Sequence, residues 1–320
     1  MRSSAWSLFP IPHCLSYRAL LQPTFVGIEG VMLTLSSTTD VAAAMRCAGT
    51  ISLAAYTLRP GAIEDALIAA AQRGAHVTVR LEGQPYRDAQ GDLMTNNERV
   101  IAALRSAGAD ARLVDTSGSG EAPLHTKAVI ADNVVFLDDR NFPDDGADTI
   151  VRDDFSGDVN AARDAIAGRA DQASPFFASH KRSALWSEAR LLNGARSGED
   201  VIVESESFGA GNPVYAALDR LGKAGRAPRL LVSSRDLQNN DREKKALARL
   251  AGDGVRIRAC GADEKFALCA GRGWIGSTNA TAAFQHPDQL DWGARTDAPD
   301  IMAHLRKTFE DRWATAATVA

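Results

Sequence analysis

Residues 124–141 read LHTKAVIADNVVFLDDRN, and residues 262–279 read ADEKFALCAGRGWIGSTN. Laid over each other without a gap, Lys127 falls on Lys265 and Asn141 on Asn279, while His125 falls on Asp263. The correspondence extends outward. Upstream of the first stretch come an apolar run TISLAAYTL from Thr50, a helical spacing GAIEDALIAAAQRGA that stops at glycine, the strand-like HVTVRLEG, a helical NNERVIAALRSAGA and the strand-like ARLVD. From Asp200 the same order recurs as DVIVESESF, NPVYAALDRLGKAG, PRLLVSSRD, DREKKALARLAGDG and VRIRACG.

The register of the two copies can be followed on both sides of the motif. Gly108 stands over Gly252 and His125 over Asp263, so the first copy carries six additional residues, which the loop TSGSGEAP accommodates. Downstream, DTIVRDD (148–154) matches DWGARTD (291–297), and the second copy closes with the helical PDIMAHLRKTFEDRW. One structural unit has been used twice. Alternating strands and helices place the chain in the α/β class, each repeat a mostly parallel sheet flanked by helices, with the site built from loops at the carboxyl ends of strands. The expected organisation is a leader without regular structure over 1–31, a first repeat over 32–180, and a linker helix with the second repeat over 181–320. The helix is expected near Arg182–Ala195, and His180 and Lys181 at its start face either the cleft or solvent.

Composition excludes some classes. A chain of 320 residues with a formal net charge of −4 lacks the general electrostatic footprint of a nucleic-acid-binding protein. Cys14, Cys47, Cys260 and Cys269 form no C-x-x-C pair or metal-ligand spacing. No apolar run reaches the roughly 18–20 residues that cross a bilayer. Pro10, Pro12 and His13 interrupt what a signal peptide would keep apolar, so a cytoplasmic location is expected.

The twinned motifs resemble those of the phospholipase D superfamily, in which H-x-K-(x)4-D is followed by G-S-x-N. The first copy matches at His125, Lys127, Asp132 and Asn141, the second at Lys265, Gly276, Ser277 and Asn279. The resemblance runs from about Thr50 onward. It implies two tandem phospholipase D-like repeats with a composite site between them, acting as a metal-independent phosphodiesterase without a cofactor. His125 would attack phosphorus and form a phosphohistidine. Lys127, Asn141, Lys265, Ser277 and Asn279 would bind the phosphate oxygens, with Asp132 and Gly276 structural. Asp148 would orient His125 through its other ring nitrogen, as an imidazole base requires; the alternative for Asp148 is a turn cap or an ion pair with Arg152. The expected substrate is a phospholipid or other phosphodiester, hydrolysed or transferred by a monomer with peripheral membrane contact. The alternatives are a catalytically impaired phosphate-binding protein and a nuclease of the same superfamily.

Four positions depart from that pattern. Asp263 replaces the second histidine, which in such enzymes protonates the leaving alcohol. Asp138 and Asp139 replace Gly-Ser in the first motif, and Ala270 replaces the second motif's aspartate. At its reference pKa of about 3.9 an aspartate is ionised at neutral pH and is no acid. Three routes could restore one: a proton shared between Asp139 and Asp263, exchange of roles with Asp263 as nucleophile and His125 as acid, or His286 as a displaced acid. Trp274 and Trp292 read as core residues. Glu204 and Glu206, two apart at a strand end, would share a face toward the cleft.

Overall fold

The computed structural model describes residues 33–85, 92–116, 121–143, 149–169, 177–238, 240–286 and 288–319. The expected leader lies outside the described residues.

The first sheet contains β1 (Thr34–Ser36), β2 (Thr50–Ala55), β3 (His76–Glu82), β4 (Asp110–Val114), β5 (Lys127–Ala131), β6 (Val134–Asp138) and β7 (Ile150–Asp153), in the order β1-β7-β6-β5-β2-β3-β4. The second contains β8 (Phe177–His180), β9 (Val201–Ser205), β10 (Arg229–Ser233), β11 (Arg256–Cys260), β12 (Phe266–Cys269), β13 (Arg272–Gly276), β14 (Leu290–Thr296) and β15 (Ala317–Thr318), in the order β15-β11-β10-β9-β12-β13-β14-β8. With β15 set aside, the two orders superpose strand for strand.

Each sheet is mixed, which corrects the expectation of mostly parallel strands. In the first, β2, β3 and β4 run parallel, while β5, β6, β7 and β1 join antiparallel. The cause is connection length: helical crossovers return the chain parallel, whereas the two-residue turn inside each motif returns it antiparallel. The helix Lys181–Asn193 is no mere linker. It follows β8 as the helix Thr38–Cys47 follows β1, and β8 pairs with β14 in the second sheet. β8 thus pairs within the second sheet although it falls inside the span 32–180 expected for the first repeat.

Local chemistry starts the helices. Ser37 and Asp40 form a reciprocal capping box on Thr38–Cys47, and Asn212 accepts from Tyr215 N before Pro213–Lys223, with proline in the first turn. The motif strands carry the contact between repeats. One apolar cluster takes Ala128, Ile130, Leu137 and Val159 from the first repeat and Phe266, Ile275, Trp292 and Phe309 from the second. Trp292 and Trp274 are fully buried, as expected. Trp292 also donates its indole N–H to the Asp138 carbonyl across the interface at 2.8 Å.

Candidate active site

The approach of β14 to the chain just before β5 builds the centre of the site. His125 N donates to Leu290 O and Leu290 N to Pro123 O, both at 2.8 Å. This short pairing sets Asp291 beside His125, and Asp291 Oδ1 lies 2.9 Å from His125 Nδ1. Gln289 Nε2 donates to Asp291 Oδ2 at 2.8 Å, and Ser277 Oγ donates to Oδ1 at 2.8 Å while accepting the Trp292 N–H at 3.0 Å. With Asp291 as acceptor, Nδ1 carries the proton and Nε2 keeps a lone pair. Burial, followed by the Lys127 charge, lowers the pKa of His125, which favours the neutral ring a nucleophile needs. Burial alone would raise the pKa of Asp291, but His125, Lys127 and Ser277 outweigh it and hold it below the ordinary value.

Asp291 is therefore the carboxylate on the histidine, supplied by the opposite repeat. Asp148 falls outside the described residues, and Arg152, its suggested ion-pair partner, lies 3.0 Å from Asp154. Ser277 is also corrected. Its hydroxyl is wholly buried on Asp291 and Trp292, so it steadies the carboxylate behind His125 and does not bind phosphate.

The two motif lysines enter one cleft of about 710 Å³, which His125, Asn141, Asn279, Asp139, Glu206 and Asp263 also line. Lys127 Nζ donates to His125 O at 2.6 Å and lies 3.3 Å from each ring nitrogen. Lys265 repeats the arrangement, donating to Asp263 O at 2.6 Å. The asparagines match as well: Asn141 Oδ1 accepts from Thr57 N at 3.3 Å and Asn279 Oδ1 from Ser207 N at 3.2 Å. Their amide N–H groups are the ends left for a ligand. Tyr56 meets the His125 ring edge-on at 5.5 Å between centroids.

The lysines differ in their surroundings. Burial, then the Lys265 charge, lowers Lys127 to about 8. Lys265 is held above the usual value, because Glu206 and Asp139 outweigh its burial. Glu206 Oε2 lies 2.9 Å from Lys265 Nζ; burial opposes its ionisation, yet the lysine and its neighbours hold it down to about 2. By register Glu206 occupies the place of Tyr56 in the first repeat. Glu204 does not share the cleft. It is buried behind it against Arg312.

No family model matches this chain, and no curated protein matches it. Solved structures do. Polyphosphate kinase from Porphyromonas gingivalis is similar at 16% identity and a TM-score of 0.60, over 95% of this chain and 50% of that one. Phosphatidylserine synthase from Haemophilus influenzae Rd KW20 is similar at 10% identity and a TM-score of 0.61, over 89% of this chain and 87% of that one. The chain thus spans half the length of the kinase. This chain has the two-repeat fold of the phospholipase D superfamily.

Within that phospholipase D-like fold, the departures acquire physical reasons. Asp132, at φ +51°, accepts at Oδ1 from Gly49 N, Thr50 N and Thr50 Oγ1, a purely scaffolding role. Ala270 keeps the same left-handed turn at φ +56°. By register the second repeat has Glu199 and Asp200 where the first has Gly49 and Thr50, so an aspartate at position 270 would meet like charge. Asp138 is wholly buried, with Arg140 N and Phe142 N donating to it. Asp263 carries two guanidiniums, Arg140 Nε at 3.3 Å and Arg312 Nη2 at 3.4 Å. It is an ion-pair partner of both in this site. His286 is exposed and does not line the cleft. Among the described residues, no group of three or more His, Cys, Asp or Glu side chains could hold a metal ion, and no helix is long and apolar enough to cross a membrane.

Proposed function

We propose that this chain is a phosphodiesterase of the phospholipase D type, working through a phosphohistidine on His125. The observation that carries the reading is His125 held by Asp291 of the other repeat, with Lys127 and Lys265 brought into the same cleft from both motifs. His125 Nε2 would attack phosphorus in line with the departing oxygen. Lys127, Lys265 and the amides of Asn141 and Asn279 would meet the charge on the non-bridging oxygens. Water or an alcohol would then displace the histidine, giving hydrolysis or transfer. The reaction so written needs no metal or cofactor. A phosphatidyl group is the favoured cargo, handled by a cytoplasmic monomer in peripheral contact with a membrane. The cleft charges support that choice over a nuclease: Lys127, Arg140, Lys181, Arg235 and Lys265 are nearly balanced by Asp139, Glu206, Asp236 and Asp263, whereas a nucleic-acid backbone needs an excess of cations.

The test is to mix the protein with a labelled phosphodiester bearing a nitrophenolate leaving group and look for acid-labile, alkali-stable label. Label on His125 that disappears in His125→Ala is the expected result. If phosphate raises the melting temperature but no covalent label forms, the chain is a phosphate-binding protein and the enzymatic reading fails.

A further inference from the structure

A site of this kind needs two groups on opposite sides of the attacked phosphorus, one to attack and one to receive the departing oxygen. The first is His125. The repeat relation puts Asp263 at the second position, with Arg140 and Arg312 on its carboxylate and Lys265 on its backbone oxygen. Around it the cleft is lined by Glu206, Asp139 and the exposed Arg235. Among the described residues lining the cleft, His125 is the one histidine. Lys127, with its pKa near 8, could give a proton, but its Nζ lies 3.3 Å from both nitrogens of the attacking ring and so stands on the wrong side of the phosphorus. Among the described residues, the leaving-group side therefore offers cations and carboxylates and no matched acid.

That combination selects the leaving group. An alkoxide is nearly as basic as hydroxide, the anion of water with its pKa of about 15.7, and must be protonated as it leaves; a positioned acid contributes on the order of 10²–10⁴-fold. A phosphate, whose second pKa is about 6, departs as a stable anion. Planar guanidiniums are well suited to hold it. We propose that the natural substrate is a phosphoanhydride, in which the phosphorus attacked by His125 is joined through a bridging oxygen to a second phosphate that leaves toward Arg140, Arg235 and Lys265. This rests on the phosphohistidine reading and names its substrate class. In the first step the Nε2 lone pair forms the N–P bond, and the P–O bond breaks with its electron pair passing to the leaving phosphate. No proton is transferred. In the second step water oxygen bonds to phosphorus, the N–P pair returns to Nε2, and the water proton passes to the Asp263 carboxylate.

The test compares two probes with the same alkyl groups, a dialkyl phosphodiester and the P1,P2-dialkyl pyrophosphate, scoring label on His125 and turnover. The pyrophosphate is expected to label His125 and turn over at least about 100-fold faster than the diester, the low end of what a missing acid costs. Across aryl phosphodiesters, the rate should fall steeply as the leaving-group pKa rises. Asp263→His should speed the dialkyl diester by about 10-fold or more. Equal rates for both probes, or a flat leaving-group dependence in the unaltered protein, would overturn the assignment even if the variant does not fold. If neither probe nor the nitrophenyl diester labels His125, the phosphohistidine reading falls and takes this proposal with it. Label from the nitrophenyl diester and the dialkyl diester, with none from pyrophosphate, would sink the substrate class alone.

Discussion

At the scale of single residues, the site depends on one hydrogen bond between repeats. Asp291 is wholly buried and fixes the tautomer of His125. Asp291→Asn would keep the shape and lose the anion, and kcat for the nitrophenyl diester should fall on the order of 10³–10⁴-fold, as for a base that has lost its orienting carboxylate. Near-unchanged kcat would mean that Asp291 is only a scaffold. The sequence could point to Asp148 and Asp291 as counterparts, but not to which one reaches His125, because that contact is made by the Leu290 bridge between repeats. Lys127 gives a pH prediction. Its pKa of about 8 means that its charge is present at pH 7 and lost as pH rises through 8, so dimethyl phosphate, whose own charge is constant there, should bind about 10-fold more weakly at pH 9 than at pH 7. Lys127→Arg, charged throughout, should flatten that titration; a titration unchanged in this variant would assign it to another group.

At the scale of elements, each motif is a hairpin whose inner face decides its own residues. The sequence GSTN reads as a phosphate-binding turn, yet Gly276 is demanded by packing. A Cβ there would lie 2.4 Å from Trp292 O and 2.7 Å from the Trp274 ring. In the first repeat the register puts Phe136 where the second has Trp274, and Asp138 takes the glycine's place. The smaller ring and the following backbone N–H groups allow an acid that the second hairpin could not hold. Gly276→Ala should therefore destabilise the fold by about 1–3 kcal/mol through overpacking, read as a lower urea midpoint with unchanged slope. An unchanged midpoint would show that the hairpin can shift to admit a methyl group. The motif types were legible in the sequence because they repeat. The partners of Gly276 and Ser277 were not, since Trp274 and Trp292 read only as core residues.

At the scale of the whole described chain, the duplication and its α/β order were legible because helical and strand periodicities recur in register. The edge strands β1 and β8 were not, being three and four residues long and dependent on a strand far away in sequence for pairing. Nor was the last helix, Pro299–Thr315, marked as part of the site's support. From it Arg312 reaches Glu204 on β9, Glu264 at 3.2 Å and Asp263 at 3.4 Å, while Thr149 of the first repeat donates to Glu264 at 3.3 Å. Burial pushes Glu204 up to about 8 and raises Glu264, with Arg312 pulling against it in both. Removing that cation should raise both folded pKa values further. For a carboxyl raised on folding, the stabilisation is complete below its unfolded pKa of about 4.5 and is lost as pH rises through the folded value. Arg312→Met should therefore destabilise little near pH 5, where Glu204 is protonated, and by about 3–5 kcal/mol near pH 9, the cost of stranding buried charge. Each kcal/mol corresponds to about 2–4 °C in melting temperature. Adding Glu204→Gln should recover part of the alkaline loss and leave the acidic melting temperature unchanged. A loss equal at both pH values, or no recovery, would mean that Arg312 acts by packing its stem and not by balancing the two glutamates.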